Sequence, residues 1–337
     1  MTWAGRRLEH GRYYLDDASA GNLLTNSKGR VTLAHVPLVP WPLLRYGEDF
    51  PQGDCGGNLT VLHPGGFGDL LWLNAIYERL SASGVSVRHS CFPHYAPVLE
   101  GYAEVLPYPL PVDPGAVRWP ICMENLVMSG NAGTEHPADR FAKVFGLPPL
   151  TVKKAAYRVT DAERAAAREW WPRTPGKRRV AVQAQSSVRL KSWPGLVELP
   201  SALWREGWEV LIVGEPSGNT AELPPEVRDC TATGTGIRAS LAAAAECDVC
   251  VGADSVLIHA AHALDIPALG LFGPFAGAAY MAGYKGGWIQ GTRECSPCGL
   301  DFEVNPAPSH CGPDCTALAG ITVGRVVGRV RKILETL

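Results

Sequence analysis

The sequence lacks a surplus of charge, a long unbroken apolar run and an apolar leader. Lysine and arginine total 31 against 33 acidic residues, a formal net charge of −2. That balance excludes a surface that is basic overall, so a general nucleic-acid-binding face is not expected. Only a local patch built from Arg6, Arg7, Arg12, Lys28 and Arg30 escapes the argument. The start, MTWAGRRLEHGRYYLDD, has no apolar segment of the signal-peptide type, so a soluble, cytoplasmic protein is expected. The longest uncharged stretch, Ile266 to Tyr284, contains Pro267, Pro274 and four glycines, which rules out one continuous spanning helix. A GxGxxG fingerprint is absent from the glycine-rich turn at Gly65–Asp69, and no acidic residue follows at the distance that grips a ribose.

What is present is a large apolar fraction, 46%, with 37 glycines and 28 prolines scattered between apolar segments. These are tight turns rather than disorder. The 337 residues suffice for two domains of ordinary size. "NLTVLHP" from Asn58 reads as a buried strand, "GGFGD" as a glycine turn, "LLWLNAIYERLSASG" as a helix and "VSVRHSCF" as the next strand. "HPADRFAKVFGLPP" reads as a helix stopping at Gly146. A second series follows from Asp161, with Thr160 or Asp161 as the cap. Its strands are "VAVQAQ", "WEVLIVGEP", "VCVGAD" and "PALGLFGP", and its helices include "GLVELPSALWREG", kinked at Pro200, and "SVLIHAAHAL". Strand, turn, helix, strand, repeated twice, predicts an α/β protein of two Rossmann-like doubly wound domains facing a central cleft. "ITVGRVVGRVRKIL" closes the chain as an amphipathic helix with a solvated basic face.

Three stretches carry polar groups at strand-to-helix loops. In GGFGD, Gly66 and Gly68 let backbone approach a ligand, and Asp69 is either a helix cap or a general base at the cleft mouth. In QSSVRLKSWP, Arg189 and Lys191 suit a phosphate or diphosphate. In VGADSVLIHAAHAL, Asp254 and Ser255 open a helix whose free amides, aided by Ser255, form an anion site, the alternative being an Asp-Ser cap with two core histidines; His259 lies one turn on, and His262 reads as a packed helix residue. Six of the ten cysteines, Cys55, Cys91, Cys122, Cys230, Cys247 and Cys250, sit in apolar surroundings and read as reduced core residues. Cys295, Cys298, Cys311 and Cys315 form C-x2-C and C-x3-C pairs that suit a structural zinc; a disulfide or unligated thiols are the alternatives.

Together these motifs resemble glycosyltransferase family 9, the heptosyltransferase-like enzymes of the GT-B fold. The resemblance runs from about Asn58 to the C-terminus and rests on GGFGD-LLWLNAI, HPADRFAKVFGLP, LKSWP and, above all, DSVLIHAAHALDIPALGLFGP. The chain departs from the family pattern at Val256, where the family has Gly, at the "QAQSS" loop, and at Ser192. The resemblance implies residues 58–155 as the acceptor-binding domain and 156–320, with a Cys-rich loop at 295–315, as the nucleotide-sugar domain. Residues 1–57 are then an N-terminal extension packed on the first domain, and 321–337 the C-terminal helix. It implies inverting transfer without a catalytic metal from a nucleotide-diphosphate sugar, heptose-like or other, to a hydroxyl of a lipopolysaccharide-like glycan. A modified nucleic-acid base or a protein as acceptor is an alternative, and a non-catalytic sugar-nucleotide-binding module is another. Asp69 would be the base. Lys191, Arg189, Ser255, Val256 and His259 would hold the donor phosphates. Glu215, with Glu222 as alternative, and Asp254 would contact the nucleoside or sugar.

Overall fold

Two parallel sheets organise the chain in the computed structural model. The structure describes residues 6–7, 13–14, 58–63, 66–107, 120–122, 135–145, 147–183, 191–214, 223–231, 236–292, 296–297, 317–318 and 320–337. The expected N-terminal extension, residues 1–57, lies outside these residues apart from 6–7 and 13–14. Two short strands, β1 (Arg6–Arg7) and β2 (Tyr13–Tyr14), pair antiparallel.

The first sheet is built from β3 (Asn58–Leu62), β4 (Ser86–Cys91), β5 (Glu104–Pro107) and β6 (Pro120–Cys122). Its order is β5-β4-β3-β6, all parallel. Helix α1 (Phe67–Ala82) links β3 to β4, and a 3-10 helix (Pro93–Leu99) follows β4. Helix α2 (Pro137–Val144) then packs on α1. Helix α3 (Asp161–Trp170) opens with a reciprocal capping box between Thr160 and Glu163, the motif that satisfies two otherwise orphaned amides.

The second sheet contains β7 (Arg179–Gln183), β8 (Glu209–Val213), β9 (Arg228–Asp229), β10 (Val249–Ala253), β11 (Ala268–Phe272) and β12 (Gly286–Gln290). Its order is β12-β11-β10-β7-β8-β9. Helix α4 (Leu199–Arg205) precedes β8, α5 (Gly236–Ala244) precedes β10, and α6 (Val256–Ala263) joins β10 to β11. The kink expected at Pro200 is replaced by a helix start. Pro200 occupies the first turn, where its missing N–H costs no hydrogen bond. The short α7 (Gly277–Tyr280) precedes β12. The last helix, α8 (Val323–Leu334), turns Val326, Val327, Val330, Ile333 and Leu334 into the core beside α4. Its apolar stripe is spent on the protein's own interior, leaving the basic face to solvent. Among the described residues no helix is long and apolar enough to cross a membrane.

In each sheet the chain runs outward, then returns to the other side of its first strand. The order reverses at β3 in the first sheet and between β7 and β10 in the second. Ligands of doubly wound sheets bind outside the strand C-termini at such reversals. Asp69 follows β3, Lys191 follows β7, and Asp254 and Ser255 follow β10. An apolar cluster spans both halves, joining Leu59, Leu70 and Tyr77 to Leu257, Ile258 and Phe272.

One core position is unfavourable. His63, at the end of β3, is buried with neither ring nitrogen hydrogen-bonded, and burial lowers its pKa to about 4. A buried polar group left unpaired costs about 1–3 kcal/mol. His63→Leu is therefore expected to stabilise the fold by on the order of 1 kcal/mol, read as a higher urea midpoint at unchanged slope.

Candidate active site

Helix α1 begins at a backbone turn that only glycine takes easily. Gly66 has φ of 125°, and a Cβ there would lie 2.7 Å from Asp69 Oδ2. The carboxylate therefore folds back over the turn, at the positive end of the helix. Gly68 serves a different contact. A Cβ on it would sit 2.9 Å from Cδ2 of His259, so its bareness lets the start of α1 abut the start of α6. Gly68→Ala is expected to wedge these helices apart and cost about 1–3 kcal/mol, measurable by chemical denaturation.

Across this junction Asp254 acts as a hub. Lys191 Nζ donates to Oδ2 at 2.7 Å. His259 Nε2 lies 3.2 Å from Oδ1; because a carboxylate only accepts, this nitrogen carries the proton. Nδ1 of the same ring is 2.5 Å from the Tyr284 hydroxyl. Both nitrogens of His259 are thus engaged by protein groups, so the ring braces Asp254 here. Lys191 also sits 4.5 Å above the Phe275 ring, which helps fix the ammonium.

Ser255 is the residue before α6, but its hydroxyl does not cap the helix. It accepts from Gln183 Nε2 at 2.6 Å instead. The first-turn amides of α6, Val256 among them, have no side-chain cap from Ser255, the arrangement that receives an anion. Gln183 begins the QAQSS segment by which the chain departs from the family pattern.

The two carboxylates differ in acidity. Burial raises the Asp69 carboxyl above its ordinary value of 3.8, opposed in part by Lys191, Arg140 and His259 and reinforced by the charge of Asp254. Burial also pushes Asp254 upward, but Lys191 and His259 outweigh it and hold that carboxyl far below the ordinary range. The two carboxyls are thus pushed in opposite directions, Asp69 toward its protonated form and Asp254 toward its ionised form.

Several participants were not singled out in the sequence. Arg140 of α2 is buried and its Nη2 donates to the Tyr280 hydroxyl at 3.0 Å, 140 residues along the chain. The guanidinium lies 5.7 Å from the Tyr280 ring centroid. Trp72 on α1 meets His136 edge-on at 4.8 Å and His259 at 5.9 Å, while His262 stacks on Tyr284 at 3.8 Å. His262 Nε2 also lies 2.6 Å from the Lys153 carbonyl, as suits a packed helix residue. Gln183, a polar side chain at the end of a wholly buried strand, was the one legible signal among those missed. Arg189, Glu215, Glu222, Cys295, Cys298, Cys311 and Cys315 lie outside the described residues. Among the described residues no group of three or more His, Cys, Asp or Glu side chains is placed to hold a metal ion.

Comparison with known proteins bears on this arrangement. Residues 135–286 match the family described as "Glycosyltransferase family 9 (heptosyltransferase)". They are a glycosyltransferase family 9 domain. The match covers α2, β7 through β11 and the Lys191–Asp254–His259 cluster, and supports a glycosyltransferase that uses a nucleotide sugar. No curated protein matches by sequence. The fold resembles ADP-heptose lipopolysaccharide heptosyltransferase II of E. coli, with 15% identity and a TM-score of 0.59, covering 83% of this chain and 99% of that one. It also resembles a family 9 glycosyltransferase of Veillonella parvula DSM 2008, at 13% identity and TM-score 0.57, covering 84% and 98%. A third relative is the iron-containing dodecameric glycosyltransferase TibC of enterotoxigenic E. coli H10407, at 16% identity and TM-score 0.59, covering 83% and 76%. The two-sheet architecture of this chain is therefore of the GT-B type.

Proposed function

We propose that this protein transfers a sugar, with inversion, from a nucleotide-diphosphate donor to a hydroxyl of a lipopolysaccharide-like glycan, and that Asp69 is the base. The observation that carries the reading is the pair of carboxylates with opposed acidities at the junction of α1 and α6. Asp69 accepts the acceptor's hydroxyl proton as the new carbon–oxygen bond forms. The anomeric carbon–oxygen bond to the diphosphate breaks, and its electron pair leaves on the phosphate oxygen. A single displacement of this kind inverts the anomeric centre. Lys191 and the uncapped first turn of α6 stabilise the charge that gathers on the leaving group. Asp254, anionic itself, holds Lys191 and His259 in place and offers its remaining acceptor capacity to sugar hydroxyls. Arg189 and Glu215 complete the proposed donor contacts, and the four late cysteines a structural zinc.

Relatives supply the first donor to try: TibC has been crystallised with ADP-D-β-D-heptose. The test is ADP release from that sugar nucleotide with lipopolysaccharide truncated to its inner core as acceptor. Mass spectrometry of the product then reads the transfer. A glycan product supports the reading. Labelling of a nucleic acid or a protein in its place, or donor binding without turnover in every pairing, overturns the proposed acceptor or the catalytic role.

A further inference from the structure

The turn that carries Asp69 is gripped from behind by a buried chain of hydrogen bonds. Tyr77, two turns further along α1, has its hydroxyl 2.6 Å from Nδ1 of His89 on β4. Nε2 of the same imidazole lies 3.0 Å from the main-chain carbonyl of His63. A carbonyl oxygen only accepts, so Nε2 carries the hydrogen. Burial, with the neighbouring His63, lowers the His89 pKa to about 3, and the ring is neutral. Nδ1 is then the lone-pair nitrogen, and Tyr77 donates to it. The chain thus runs in one direction, from the Tyr77 hydroxyl through both nitrogens of His89 to the His63 carbonyl.

The position of this chain gives it a consequence. His63 is the last buried residue before Pro64 and Gly65, from which the backbone enters Gly66, Phe67, Gly68 and Asp69. The His63 amide is bonded to the Ser90 carbonyl at 3.2 Å, so both backbone groups of this residue are held by β4. Glycines make the segment beyond it intrinsically free. A fixed strand end at His63 and a helix tied to that end through Tyr77 and His89 flank the segment that leads to Asp69. Tyr77 and His89 are fully buried, and Tyr77 also packs edge-on against Phe145. Polar side chains are rarely placed so deep without a partner to specify.

We propose that Tyr77 and His89 are positioning residues, which set the Asp69 carboxylate against the donor by clamping the strand end from which its turn departs. The proposal rests on the reading of Asp69 as the base. A base must be held to within about an ångström, and misplacement on that scale costs about 10²-fold in rate.

The experiment compares wild type with Tyr77→Phe, His89→Leu and His89→Gln at a temperature where all four are folded. Gln keeps an amide donor near the place of Nε2, whereas Leu keeps only the bulk. Amide hydrogen exchange reads the turn directly. Residues 66–70 are expected to exchange faster in Tyr77→Phe and His89→Leu, with partial recovery in His89→Gln and no change in α8. In the ADP-release assay, kcat is expected to fall about 10- to 100-fold in the first two, with KM for the sugar nucleotide within about two-fold of wild type and partial rescue by Gln. Unchanged exchange at 66–70 overturns the proposal, as does faster exchange with an unchanged kcat. Turnover surviving in Asp69→Asn overturns the base reading and the proposal together. Silence of the wild type in that assay counts against the chosen donor and acceptor alone, and the exchange result then decides the clamp.

Discussion

Asp69→Asn is expected to lower kcat by about 10²- to 10⁴-fold, the range general-base catalysis supplies, while the dissociation constant for the sugar nucleotide stays within a factor of a few. Asn keeps the size of the side chain and its place over Gly66 but cannot take the hydroxyl proton. Isothermal titration with the donor and a single-turnover rate separate the two quantities. The pH dependence follows from the same residue. Its carboxyl is raised by burial, so kcat in the wild type should climb with pH through a step above the ordinary 3.8 of aspartate, and that step should vanish in Asp69→Asn. The stability linkages have opposite signs. A raised folded-state pKa favours the protonated form, so the contribution of Asp69 to stability is present below 3.8 and is lost as pH rises through its folded value. Asp254 is depressed, so its contribution is present above 3.8 and is lost as pH falls toward its folded value. A urea midpoint that is insensitive to Asp254→Asn near neutral pH would contradict this.

Lys191→Met should be the other large effect, and it acts on two levels. Removing a preorganised cation from the leaving diphosphate is expected to reduce turnover by about 10²- to 10³-fold. It also strands Asp254, whose side chain is only 6% exposed. Breaking a buried pair from one side costs a few kcal/mol. With 20% of the Lys191 side chain exposed, about 2–4 kcal/mol is expected here. The double variant Lys191→Met with Asp254→Asn should recover most of that stability, since no charge is left unpaired, yet recover none of the activity. Denaturation midpoints and ADP-release rates on the four proteins test this. If stability and activity return together in the double variant, Lys191 serves the fold rather than the leaving group.

Much of the architecture was legible because it is local. The strand Val249–Ala253 and the helix Val256–Ala263 announce themselves by an apolar run and a change of period. The cap could be narrowed to Thr160 or Asp161 because capping is a matter of adjacent residues, and the reciprocal bonds with Glu163 decide for Thr160. Pro200 was misread because a proline inside an apolar pattern signals equally a kink or a first turn. The strand Gly286–Gln290 escaped notice: its glycines and its exposed Trp288 mask the strand pattern, and it exists as an edge paired to β11.

The candidate site divides in the same way. Asp69, Lys191, Asp254 and Ser255 could be picked out in the sequence because each lies in the segment that follows a strand, and such segments gather at the C-terminal edge of a doubly wound sheet whatever else the chain does. Their partners could not be. Lys191 and Asp254 are 63 residues apart, and Arg140 and Tyr280 are 140 apart. The hydroxyl of Tyr284 decides which nitrogen of His259 faces Asp254, and Gln183 decides that Ser255 leaves its helix uncapped. The sequence by itself determined two doubly wound units and the strand-to-helix loops between them, because strand and helix periods and glycine turns are properties of a few consecutive residues. Only the tertiary structure decided which carboxyl has its pKa raised and which has it lowered. Burial and the approach of distant charges set those acidities, and both arise where the two halves of the chain meet.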